Sequence, residues 1–149
     1  MIATSQACFL FIVALVGLLA GQTQQVQSTI ENSIKAKEPA WELSAREAQT
    51  KSTIYRWKSG RERVEVEVFV TASLAAAAAK FQDFIRHMPV PPKEKVNGLG
   101  DEALLWQSPN TDVCMILFRR SNVFFHINGS LPTNAKRFAK HLDDLVSSK

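Results

Sequence analysis

Arg63 to Val70 reads RVEVEVFV, and the reading of this stretch decides the fold. Val64, Val66, Val68 and Val70 alternate with Arg63, Glu65, Glu67 and Phe69. A period of two places alternate side chains on opposite faces of an extended strand, so the valines make one buried face. Branching at Cβ favours that state over a helix. Upstream, Thr53 to Lys58 (TIYRWK) alternates in the same way, and the intervening Ser59-Gly60 reads as the two-residue turn of a hairpin. With those two as the loop, Tyr55 pairs with Val64 and Thr53 with Val66 on the valine face. Arg56 then lies opposite Arg63, and Lys58 opposite Arg61, on the other face. Like charges directly opposite one another cost stability, so the second face is expected to be wet.

Downstream, Ser73 can cap a helix over Leu74 to Met88, in which Leu74, Ala77, Ala78, Phe81, Phe84, Ile85 and Met88 share one stripe. Pro89, Pro91 and Pro92 stop it. The second half repeats the grammar. Glu102 to Trp106, Val113 to Arg119 and Val123 to Asn128 read as strands, with a hairpin turn at Ser121-Asn122. Pro132 and Thr133 then introduce a helix carrying Ala135, Phe138, Ala139, Leu142, Leu145 and Val146 at spacings of three and four. With a short strand over Trp41 to Ala45, each half runs strand, strand, strand, helix, although no residue-level repeat accompanies that order. The class that follows is α+β: a two-layer domain with a mostly antiparallel sheet and two amphipathic helices packed on one face.

Upstream of the sheet, Val26, Ile30 and Ile34 recur every four residues, the spacing of one narrow helical stripe over Gln24 to Lys37, which Pro39 ends. Before it, Ala7 to Ala20 is an unbroken uncharged apolar run. It falls short of the roughly 20 residues a membrane span requires and within the roughly 7 to 15 of a signal-peptide core. The organisation expected is a signal peptide over 1–21, an N-terminal helix or linker over 22–40 and the α+β domain over 41–149, in an exported (periplasmic or secreted) protein. Leu19-Ala20-Gly21 resembles the start of a lipobox, but Gln22 stands where the lipidated cysteine must be. Membrane contact is expected only through the export segment, if it stays uncleaved. With Cys8 inside that segment, Cys114 is left alone among Val113, Met115, Ile116 and Leu117, the setting of a buried core thiol. A mature chain of about 125 residues buries roughly two-thirds of its unfolded surface and needs no disulfide or metal to fold.

The order GLGDEALLW (Gly98 to Trp106), VCMILFRRSN (Val113 to Asn122), VFFHING (Val123 to Gly129) and a closing helix with KHLDDLV (Lys140 to Val146) resembles small secreted bacterial domains of unassigned function. Such domains tend to carry a Gly-x-Gly-Asp-Glu-Ala turn and a Phe-Arg-Arg-Gly-Asn hairpin. This chain departs from the pattern with Ser121 at the hairpin glycine. The resemblance spans about Ser73 to Val146; it implies an α+β fold and an envelope or extracellular address, and no activity.

Among candidate sites, Gly98 to Ala103 imitates a nucleotide-binding fingerprint, but it precedes a strand where that fingerprint requires a helix, so it reads as a glycine-permitted turn. His87, His126 and His141 have no ligand spacing between them, and no G-x-S-x-G elbow is present. No catalytic, cofactor-binding or metal residues are therefore assigned. Asn128-Gly129-Ser130 fits the N-glycosylation tripeptide. The chain carries a net charge of +4, and its basic residues gather at two hairpin tips: Arg56, Lys58, Arg61 and Arg63 at one, Arg119 and Arg120 at the other. Hairpins pointing the same way would make these six a cationic edge for an anionic ligand. The function expected is a non-catalytic exported domain that binds a protein or an anionic envelope or extracellular ligand. The alternative is a small secreted hydrolase whose site the sequence does not announce. The export signal argues against nucleic acid as a partner.

Overall fold

The computed structural model describes residues 29–147; the signal peptide expected over 1–21 and residues 24–28 of the expected first helix lie outside the described residues. Helix α1 occupies residues 29–37. After it come β1 (Glu42–Ala48), β2 (Thr53–Ser59), β3 (Glu62–Val70), α2 (Leu74–Arg86), β4 (Glu94–Lys95), β5 (Glu102–Gln107), β6 (Cys114–Arg120), β7 (Val123–Gly129) and α3 (Pro132–Ser147). The strands form one seven-stranded sheet in the order β1-β2-β3-β7-β6-β5-β4, and each neighbouring pair is antiparallel. The protein is thus an α+β fold, two antiparallel meanders joined side by side through β3 and β7.

The valine face of β3 is buried as its period requires: Val64, Val66 and Val68 lie under 5% exposed, beside Tyr55 and Trp57 of β2 and Phe125 and Ile127 of β7. Two amphipathic helices pack on this face. They are α1, through Ile30 and Ile34, and α3, through Ala135, Phe138, Ala139 and Leu142. The Phe138 ring sits at 5.0 Å from Trp41 and 5.5 Å from Trp57, where edge and tilted contacts between aromatic rings are favourable. Helix α2 lies on the opposite face and forms a partial third layer over β5 to β7. Its Phe81 and Phe84 rings meet Phe124, whose neighbour Phe125 points the other way into the α1 and α3 core. Ser73 caps α2, its hydroxyl accepting from the Ala76 amide at 3.1 Å. The placement of α2 bears on the shared order of the two halves. A two-fold axis relating β3 to the antiparallel β7 would stand perpendicular to the sheet and keep both following helices on one face; α2 and α3 take opposite faces.

The β2–β3 register differs by two residues from the one expected. Tyr55 pairs with Val66, Thr53 with Val68 and Trp57 with Val64, so the two-residue turn is Gly60-Arg61 rather than Ser59-Gly60. Gly60, at φ +57, supplies the positive φ that such tight turns demand at their first central position. A slip of two leaves every side chain on its expected face but changes the cross-strand charges. Arg56 lies opposite Glu65 and bonds it at 2.7 Å, in place of the expected clash with Arg63.

Ser121 takes φ +54 in the β6–β7 turn and is the described non-glycine residue with positive φ. A side chain there costs roughly 1 kcal/mol, which explains why glycine suits this position. Ser121→Gly is expected to stabilise the domain by about 0.5–1 kcal/mol, read as a raised urea midpoint at unchanged slope. An unchanged or lowered midpoint would mean that the serine side chain repays its own strain.

Candidate functional site

The structure separates the two basic clusters. β3 leaves the Gly60-Arg61 turn and ends at Val70, which pairs with Val123 beside the Ser121-Asn122 turn. The two hairpins therefore point to opposite ends of the sheet, about 30 Å apart along β3. The single cationic edge that parallel hairpins would have made is not formed.

Four of the six cations are held by carboxylates. Arg56 bonds Glu47 and Glu65, which raises its already high pKa further. Lys58 lies 3.3 Å from Glu42 of β1. Arg119 reaches Asp101 at 3.4 Å and Glu102 at 3.3 Å. Arg120 makes a two-toothed contact with Asp143 of α3, at 2.7 and 2.9 Å, and touches Asp101 at 3.3 Å. Hydrogen bonds to Asp143 are the chief reason its guanidinium is held charged above the ordinary range. Arg61 and Arg63 differ. Arg63 bonds only main-chain oxygens, those of Gly60 at 2.9 Å and Glu62 at 2.8 Å, and Arg61 is exposed with no carboxylate in reach among the described residues.

At the other end of the sheet, the two stretches quoted for the resemblance grip one another. The Asp101 amide donates to the Arg119 carbonyl at 2.7 Å, while the Asp101 carboxylate accepts from the Ser121 amide at 2.7 Å and faces both arginines. The glycine-permitted turn read from Gly98 to Ala103 is thus a clamp on the β6–β7 hairpin. This contact joins residues about twenty apart in sequence, and no local pattern announces it.

The histidines are placed by neighbours. His87 sits just past the C-terminus of α2, where its ring nitrogen meets the Asp83 carbonyl at 2.8 Å. The His141 ring lies 2.8 Å from Glu38, which Arg137 also bonds at 2.5 Å, so this trio ties α3 to the α1–β1 turn. His126 pairs across strands with Glu67 at 3.5 Å, and the other oxygen of Glu67 accepts from the Ser52 hydroxyl at 2.7 Å. Sequence reasoning missed this cluster of hydroxyl, carboxylate and imidazole. The carboxylate lies between the other two groups, however, whereas an activated serine needs the imidazole against its hydroxyl, so the cluster as placed does not supply the nucleophile and base of a hydrolase.

Cys114 is fully buried, as expected, and burial pushes its thiol pKa up, away from reactivity. Asn128 of the glycosylation tripeptide lies within β7, paired on both sides by β3 and β6, and the Ser130 hydroxyl is engaged by the Arg63 main chain. Among the described residues no cluster of three metal-binding side chains occurs, and no helix is long and apolar enough to cross a membrane. No family model, curated protein or solved structure matches the chain.

Proposed function

We propose that this chain is an exported, non-catalytic binding domain that recognises an anionic envelope or extracellular ligand through the tip of the β2–β3 hairpin. The observation that carries this reading is that Arg61 and Arg63 have no carboxylate partner among the described residues, while Arg56, Lys58, Arg119 and Arg120 each have one or more. An arginine already bound to a carboxylate must give up that contact before it can hold a ligand. An exposed guanidinium without a carboxylate partner has no ion pair to break, and its planar fork suits carboxylate, phosphate and sulfate groups. The site of Arg56, Lys58, Arg61, Arg63, Arg119 and Arg120 expected from sequence thereby narrows to Arg61 and Arg63. The apolar run over Ala7 to Ala20 supports export.

The test is retention on phosphatidylglycerol vesicles or an acidic polysaccharide. Retention is expected at low salt and should fall steeply towards about 150 mM, because exposed charges are screened over about 8–10 Å. Arg61→Ser combined with Arg63→Ser should abolish it while leaving the unfolding midpoint nearly unchanged. Absence of retention by the unaltered chain at low salt, or equal retention by the double variant, would reject the tip as a binding site.

A further inference from the structure

The tip of the β2–β3 hairpin holds its two arginines in different ways. Arg61 stands exposed in the turn. Arg63, the second residue of β3, is fixed at both its main chain and its side chain. Its N–H donates to the Ser130 hydroxyl at 2.9 Å, and its carbonyl accepts from the Ser130 amide at 3.0 Å. Its Nη1 donates to two carbonyls of the turn, those of Gly60 at 2.9 Å and Glu62 at 2.8 Å.

That arrangement leaves one particular edge of the guanidinium open. Nη1 lies on the same side of the group as Cδ, whereas Nε–H and one Nη2–H point outward together, a side-on fork matched to two oxygens of one anion. Nε and Nη2 of Arg63 have no partner among the described residues. Other arginines of the protein show what that edge takes. Arg120 sets Nε and Nη2 on the two oxygens of Asp143, at 2.7 and 2.9 Å, and the Nε groups of Arg56, Arg119 and Arg137 meet Glu65, Glu102 and Glu38.

The carboxylates nearest in sequence do not compete for the fork. Glu62 bonds Asn134 of α3 at 2.7 Å, on the opposite face of the sheet, and Glu65, which shares the face of Arg63, accepts from Arg56 Nε at 2.7 Å. The cross-strand neighbour of Arg63 is Lys58, a further cation. The fork is therefore held in place before any anion arrives, which lowers the ordering cost of binding.

The surroundings select the source of that anion. A bilayer would find charge but nothing to insert, because residues 58–63 carry no apolar side chain and Trp57 is sealed in the core at 2% exposure. An acidic peptide would find no free edge to pair with, since β2 and β3 lie inside the sheet with a strand on each side. A polysaccharide needs neither. It presents carboxylates on sugar rings together with hydroxyls, and the face beside Arg63 carries the polar side chains of Lys58, Arg56, Glu65 and Asn128.

We propose that Arg63 binds a single ring carboxylate of a uronate polysaccharide side-on, through Nε and Nη2, and that Arg61 contributes charge alone. This inference rests on the hairpin tip as the binding site and adds the chemical group that the tip takes. It makes the two arginines unequal: at position 63 the shape of the cation matters, and at position 61 only its sign.

The probe is polygalacturonate, titrated at low salt into the ¹⁵N-labelled full chain. Arg63→Ser should weaken binding about tenfold, and Arg63→Lys, which keeps the charge and loses the fork, should weaken it as much. Arg61→Lys should recover most of the binding lost in Arg61→Ser. In the unaltered chain the Arg63 Nε–H resonance should shift as the polymer is added, a change that a merely structural role for the side chain would not produce. Fully methyl-esterified polygalacturonate, with the same rings and no charge, should not bind. If the unaltered chain binds no polyanion, or the double serine variant binds equally well, the tip itself is rejected. If the tip binds but Arg63→Lys keeps full affinity, or the Nε–H resonance stays in place, the fork is rejected and the tip stands. Tighter binding to poly-L-glutamate or to phosphatidylglycerol vesicles than to polygalacturonate would give the site to a peptide or a membrane and overturn the assignment to a sugar.

Discussion

Replacing Asp143 by Ala is expected to destabilise the domain by about 3 kcal/mol, among the largest losses available to a single polar side chain here. Asp143 is 2% exposed on α3, and both its oxygens take hydrogen bonds from Arg120 on β6. The pair fastens the last helix to the sheet beside the β6–β7 turn. Removing the carboxylate strands a partly buried guanidinium, which then leans on Asp101 alone, 3.3 Å away. The cost comes mainly from the orphaned charge, not from the lost attraction, because taking both ions out of water already offsets much of what they gain by meeting. The double variant Arg120→Met with Asp143→Leu is therefore expected to recover most of the loss. Urea unfolding of the two single variants and the double variant measures the asymmetry directly. A double variant no more stable than Asp143→Ala would show that the pair contributes net attraction. Asp144, one residue on and facing Lys140 at the surface, should matter far less when replaced by Ala.

The contrast between these neighbouring aspartates shows what the sequence could disclose. The stripe of Phe138, Ala139 and Leu142 marks α3 as a helix with a buried side, and the structure places all three in the core. Asp143, four residues after Ala139, borders that stripe while Asp144 lies away from it, but the pattern does not disclose the partner that seals Asp143, because Arg120 arrives from 23 residues away. The strands were legible for a similar local reason: alternation of Val with Glu fixes which face is buried. It fixes register only modulo two. Ser59-Gly60 and Gly60-Arg61 both close a two-residue hairpin and both keep the valines inside, so hydrophobic pattern cannot choose between them. Charge could have chosen, since only the second alignment sets Arg56 against Glu65. The side of the sheet taken by α2 and the opposed directions of the two hairpins were out of reach for another reason. Both depend on β3 pairing with β7, a long-range choice with no short-range signature. The candidate site suffered most, since six cations adjacent in two sequence clusters are divided by that one pairing into two ends of the sheet.

Gly100→Ala is expected to cost about 3 kcal/mol or more, and Gly98→Ala only about 1–2 kcal/mol, although the two glycines flank one residue and share the left-handed conformation. Gly98, at φ +74, has open space where a Cβ would stand, so its variant bears the conformational strain alone. Gly100, at φ +61, would drive its Cβ into the Arg119 carbonyl oxygen and against the Phe118 ring at 3.1 Å. That carbonyl is not free to retreat, because it accepts the Asp101 amide at 2.7 Å and belongs to β6, paired on both flanks. Displacing it would also pull the Asp101 carboxylate off the Ser121 amide and away from both arginines, loosening the turn and the hairpin together. Urea midpoints for the two variants, with amide exchange across residues 119–123 as a local readout, separate strain from collision. The Gly98 variant should keep protection at the hairpin while the Gly100 variant loses it. Equal midpoints and equal protection would show that the backbone at Arg119 gives way at little cost, and that Asp101 does not hold the hairpin.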